Sequence, residues 1–242
     1  MKPRAYRNSL DFVKSAIAAC RDSARDLVSS AKVLLDAGQH AQALSLSVLA
    51  LEEMGKLCSV DGLLLAQPKD YKSDAFGKSL KSHSAKLNAV MMLPRFIEAI
   101  ATIDSRYKTK PAFKQAVAIG VSDLKSRGLA LMKVLSADNF QPLDKLKQEG
   151  FYTHLSGNGL VLPRDAVKSE VAIAVHGLAW RISSTIDFVL DDSSLERYMN
   201  FAAQIRREMS EVDFIFVDIE SDKYLRQLFP DIDGVGAETH KP

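Results

Sequence analysis

Apolar residues recur along most of this chain at steps of three and four, the spacing of one face of an α-helix. Val13, Ile17, Cys20, Ala24, Leu27, Ala31 and Leu34 form the first such stripe and predict a helix over residues 9–37, capped by Asn8 or Ser9. Gly38 follows where a helix end favours a left-handed residue. A second helix starts at Gln39 or His40 and stops at Pro68, and so short a connection makes the two antiparallel neighbours. Its stripe is Ala41, Leu44, Val48, Leu51, Gly55, Cys58, Gly62 and Leu65.

A polar loop over residues 68–80 separates this pair from a third helix that begins near Ser82, is interrupted at Pro94 and fades at Tyr107. Thr109, Lys110 and Pro111 cap a fourth helix, with Phe113, Val117, Gly120, Leu124, Leu131 and Leu135 on one side. Residues 136–163 lose the periodicity, apart from a short amphipathic piece at 142–152 and a turn at 156–159. A fifth helix spans 164–190 with Val171, Ala174, Leu178, Ile182 and Val189 inward. Ser193 to Glu196 reads as a capping box that opens a further helix to about Met209. Residues 212–219, VDFIFVDI, have strand propensity but no evident partner, and the last dozen residues read as a disordered tail.

Charge changes this picture at one place. Glu52, Glu53 and Lys56 lie inside the apolar second helix, where ions must be paired. Glu52 and Lys56 are four apart and can pair, and Gly55 between them admits a close neighbour. His83 and Lys86 share a face of the third helix. If the two helices pack side by side, both polar sets meet. An imidazole beside carboxylates and cations can do acid–base work, and lysines can neutralise a phosphate. The same residues would equally make an interhelical salt-bridge clasp. A second group, Lys145, Lys147, Tyr152 and His154, surrounds the irregular segment as a binding candidate, with solvated lysines as its ordinary explanation. His176 reads as a core histidine, His40 as a helix-start residue, and Met91 and Met92 as core filler.

Composition mainly excludes. The net charge of +2 gives no global field for nucleic acid or membrane. No apolar run reaches the length needed to span a bilayer, and the first residues lack a secretory core, so a soluble cytoplasmic protein is expected. Cys20 and Cys58 are expected to be buried free thiols. They lack zinc spacing, no Glu-x-x-His pair exists, and no GxSxG, P-loop or GxGxxG motif is present. No metal and no cofactor is expected.

The order A-x-x-L-x-x-x-x-L-x-x-E-E-x-G-K at residues 41–56, then H-x-x-K at 83–86, then LKQEGFYTHLSGNGLVLP, resembles the AbiV family of abortive-infection proteins, a branch of the HEPN superfamily. The resemblance implies an all-α, HEPN-like up-and-down bundle over residues 1–190. A C-terminal helical extension with a disordered tail then covers 191–242. It implies a role in defence against bacteriophage, and, for many HEPN proteins, metal-independent RNA cleavage by a homodimer. Carried over, the polar motif positions are Glu52, Glu53, Lys56, His83, Lys86 and Tyr152. The usual HEPN signature, Arg followed four to six residues later by His, is absent; Lys78 before His83 and Lys147 before His154 are its nearest counterparts. Lys offers a point charge where Arg offers a fork. The implied partners are RNA or, for a non-catalytic protein, a phage or host protein or the partner of a toxin–antitoxin pair.

Overall fold

The computed structural model describes residues 10–65, 82–134, 141–156 and 159–208. The chain is an all-α bundle with one two-stranded hairpin. The helices are α1 (Leu10–Asp36), α2 (His40–Leu65), α3 (His83–Ala89), α4 (Leu93–Ile103), α5 (Ser105–Thr109) and α6 (Pro111–Val134), then α7 (Gln141–Phe151), α8 (Pro163–Ala166), α9 (Ser169–Val189) and α10 (Asp192–Glu208). Strands β1 (His154–Ser156) and β2 (Gly159–Val161) pair antiparallel between α7 and α8.

Helix α2 is the axis of the bundle and touches α1, α9, α7, α3 and α10. It does not bury one stripe, as its spacing suggested. Ala43, Leu44, Val48, Ala50, Leu51, Met54 and Leu57 are all fully buried and cover about half of the helical wheel, and Ser45 and Glu52 widen that buried face. A buried face this wide belongs inside a bundle, where its parts meet different neighbours. The α1–α2 turn follows the sequence: Gly38 takes φ 72°, and Gln39 N–H returns to Leu34 C=O at 2.8 Å.

The third helix is interrupted just ahead of Pro94, as expected, rather than kinked at it. Val90–Met92 forms a 3-10 turn, and Pro94 sits in the first turn of α4, where its missing N–H costs nothing. Met91 and Met92 on that turn are exposed rather than core filler. The amphipathic piece near residue 142 becomes helix α7, and the segment that follows it becomes the hairpin. The expected fifth helix breaks at Val167 and Lys168, both extended, into α8 and α9. Ala174 on α9 faces out. Cys20 and Cys58 are half-buried thiols, and burial, followed by the Glu53 charge, pushes the Cys20 thiol up to about 11. Residues 212–219, the tail and the 68–80 loop lie outside the described residues. Among the described residues no helix is long and apolar enough to cross a membrane.

Beyond residue 190, α10 enters the same core through Leu195, Tyr198, Met199 and Ala202, with Tyr198 edge-on to Phe96 of α4 at 6.1 Å. Its cap is Asp191, not Ser193: Asp191 Oδ1 accepts the Ser194 N–H and the Ser193 hydroxyl, both at 2.8 Å. Asp104, the cap of α5, is 2% exposed. It accepts the Arg106 N–H at 2.8 Å, the Arg106 guanidinium at 2.7 and 2.9 Å, the Ser194 hydroxyl at 2.6 Å and Arg197 at 3.0 Å. One carboxylate thus ties α5 to α10. Burial alone would raise its pKa, but the hydrogen bonds from Arg106, Ser194 and Arg197 outweigh it and hold the carboxyl far below the usual range.

A carboxyl whose pKa falls on folding stabilises the fold above its unfolded value of about 3.9 and loses that contribution as acid lowers the pH further. Urea titrations should therefore show stability falling below about pH 4. Asp104→Ala should cost about 3 kcal/mol at neutral pH by leaving Arg106 with Asp191 alone and Arg197 without its carboxylate, and should flatten that acid limb.

Candidate functional site

The site is built where α3 and α7 cross α2, and two glycines set the distance. A Cβ on Gly55 would sit 1.8 Å from the Lys86 carbonyl oxygen, so α3 lies directly on the α2 backbone there. A Cβ on Gly150 of α7 would sit 2.4 Å from the Ala41 carbonyl oxygen and 2.2 Å from Ser45 Oγ. Ser45, itself buried, donates across the interface to the Lys147 carbonyl at 2.8 Å. Both neighbours thus approach α2 at backbone contact, and their side chains converge on Glu52.

Glu52 is 2% exposed. Its Oε1 accepts from Lys147 Nζ at 2.6 Å, and its Oε2 lies 2.6 Å from His83 Nδ1 and 3.3 Å from Lys86 Nζ. Lys147 Nζ also forms an ion pair with Asp144 Oδ1 at 2.7 Å, one turn earlier on α7. Burial alone would lower the Lys147 pKa, but the carboxylates of Asp144 and Glu52 more than reverse this and raise it. Two carboxylates, Glu52 and Asp144, balance two ammoniums, Lys86 and Lys147, so the cluster is neutral when His83 is neutral.

His83 is the open member: its side chain is half exposed, whereas Lys86 and Lys147 are nearly closed off. At 2.6 Å from a buried carboxylate, Nδ1 carries the proton and donates it. The Lys147 ammonium, 3.1 Å from the same nitrogen, is also a donor, so it spends its protons on Glu52. Nε2 keeps its lone pair, and no group among the described residues hydrogen-bonds it. A carboxylate holding one imidazole nitrogen so that the other is free to exchange a proton is the orienting half of a catalytic triad.

The expected Glu52–Lys56 pair does not form. Lys56 pairs with Glu53, one turn away on another side of α2, where both lie near Cys20 of α1. Adjacent helix positions point about 100° apart, so Glu52 and Glu53 serve different interfaces. Lys86 is not open to a phosphate; its charge is used on Glu52. Lys147, expected on a solvated surface, is buried in the cluster. Tyr152 stays 68% exposed at the end of α7, beside Phe151, and Lys145 is also exposed. His154 opens β1, and Lys78 lies outside the described residues. Sequence reasoning missed Asp144, Ser45 and Gly150. The i, i+3 spacing of Asp144 and Lys147 was the one available signal, and it marks only a pair on a helix face. His176 is a core residue, as expected: it is buried and its Nε2 lies 3.3 Å from the Val28 carbonyl oxygen, bridging α9 to α1, while burial lowers its pKa.

A family model described as AbiV, of the HEPN class, matches residues 12–184. That span contains every member of the Glu52 cluster. No match was found among curated proteins or among solved structures.

Glu52→Ala should destabilise the fold by about 3–5 kcal/mol in urea unfolding, because it leaves two buried ammoniums with one partly exposed counter-ion. Gly55→Ala should cost about 1–3 kcal/mol or more, since the facing atom is backbone and cannot rotate away.

Proposed function

The chain belongs to the AbiV family of HEPN-type abortive-infection proteins, and on that premise we propose that it defends a bacterium against phage by cutting RNA without a metal, with His83 moving the proton. The observation that carries this reading is the half-exposed imidazole held through Nδ1 by a buried carboxylate, with Nε2 unengaged. RNA supplies its own nucleophile. Nε2 takes the proton of a 2′-hydroxyl, the 2′-oxygen attacks the adjacent phosphorus, and the 5′-oxygen leaves with a proton. The products are a 2′,3′-cyclic phosphate and a free 5′-hydroxyl. In a homodimer the second copy's His83 supplies the departing proton, so each copy contributes one half of the acid–base pair. Glu52 fixes the tautomer, and Lys86 and Lys147 are its counter-ions. Tyr152, exposed at the end of α7, offers a ring on which a base can stack.

A specific observation favours a second reading. Both lysines nearest the imidazole are closed off and used on Glu52, which suits a structural clasp in a protein that acts by binding a phage or host protein, or a toxin–antitoxin partner.

The two separate cleanly. Purified protein incubated with total RNA in EDTA should cleave it, and His83→Ala should lower the rate by roughly 100-fold or more while changing the melting temperature little, because the ring is half exposed. Absence of cleavage by the wild type, or equal cleavage by the variant, leaves the clasp.

A further inference from the structure

The Lys147 ammonium occupies a position that has the makings of a metal site. Its Nζ lies 2.6 Å from Glu52 Oε1, 2.7 Å from Asp144 Oδ1 and 3.1 Å from His83 Nδ1. Glu52 and Asp144 each offer a carboxylate oxygen, and His83 offers Nδ1 once the ring proton has moved to Nε2; these atoms lie within 4.8 Å of one another. Two carboxylates and one imidazole around a common centre form the donor set that iron, manganese, cobalt and zinc accept. The three residues come from α2, α3 and α7, so the set exists only because the two glycine crossings hold those helices together.

We propose that Lys147 is a tethered cation that fills this site and keeps divalent metal out. Three observations carry it. The ammonium is seated among the three ligand atoms, so a metal would have to displace it. Its charge completes the neutrality of the cluster; a dication entering beside it would meet an unscreened positive charge about 3 Å away, a repulsion that removes affinity by several orders of magnitude at an effective dielectric of about 20. The lysine is also held in place: its side chain is nearly closed off, and the backbone behind it is pinned by the Ser45 hydroxyl on the Lys147 carbonyl and by Gly150 against Ala41.

Without Lys147 the balance changes. Glu52 and Asp144 then face Lys86 alone, leaving one net negative charge beside a space the size of an ammonium. A contraction of about half an ångström for the two carboxylate oxygens and about one ångström for the imidazole nitrogen brings the three atoms to ordinary metal-ligand distances. The inference does not depend on RNA cleavage, and its test reads metal binding directly.

The experiment is titration of wild type, Lys147→Ala and Lys147→Ser with Co2+, followed by visible absorption and by thermal unfolding. Lys147→Ala is expected to bind Co2+ roughly 100-fold or more tightly than wild type and to gain melting temperature as Co2+ is added. Adding His83→Ala to that variant is expected to remove the absorption band. Wild-type binding as tight as the variant's overturns the proposal, and so does a folded variant with no Co2+ band. If neither Lys147 variant folds with or without Co2+, Lys147 is a structural counter-ion and the proposal also falls. Failure of the RNA assay alone leaves these outcomes unaffected.

Discussion

The arrangement of this bundle depends on one buried charge. Glu52 sits on the buried face of the central helix, and a carboxylate in that position is tolerated only with its counter-ions beside it. Those counter-ions arrive from two separate helices, Lys86 from α3 and Lys147 from α7. At the usual interaxial spacing of about 8–10 Å, side chains fill the space between two helix backbones. Gly55 and Gly150 remove the obstruction. Glycine and ion are therefore one device: the small residues let the backbones touch, and the charges select the register at which they do so. Apolar packing alone would be indifferent to a shift by a turn.

A second buried carboxylate does the same work elsewhere. Asp104 gathers Arg106, Ser194 and Arg197, and so fixes the short α5 and the start of α10 against each other. Arg106 is held further by Asp191, and its guanidinium lies over the Phe113 ring at 4.5 Å. The two nodes differ in their chemistry. At Asp104 every cation is a guanidinium, whose planar fork stays charged and shares a carboxylate by several hydrogen bonds. At Glu52 the cations are lysines and the third partner is an imidazole. Only the second node contains an imidazole, and that imidazole reaches solvent.

That difference bears on function. The cluster is electrically neutral with His83 uncharged, so it does not attract a phosphate by net charge. What it offers is orientation: a tautomer fixed from behind by a carboxylate, with the other nitrogen outward. The ionic clasp and the oriented histidine are consequently not rivals as descriptions of the geometry. The same Glu52 that locks three helices is the one that holds the ring, and stability and any proton transfer are coupled through it.

The stripes of α1, α4 and α6 were legible because each of these helices buries one face, and periodicity reports one-sided burial. The α1–α2 turn was legible because Gly38 supplies the left-handed residue at the point where the spacing ends. The convergence of Glu52, His83 and Lys86 was legible as a possibility, since charges inside an apolar run must find partners. The pairing was not. Glu52 and Lys56 satisfy the i, i+4 rule, yet Lys56 turns to Glu53, and Glu52 draws Lys147 from 95 positions away. Local spacing lists which partners a helix can offer, and burial selects among them by removing water from one face and leaving it on another. Sequence by itself thus determined the long helices α1, α2 and α6, their order and the need for counter-ions around Glu52. The tertiary structure decided which ions meet, because that choice depends on how closely α3 and α7 lie on α2, a distance set by glycines remote from each other in the chain.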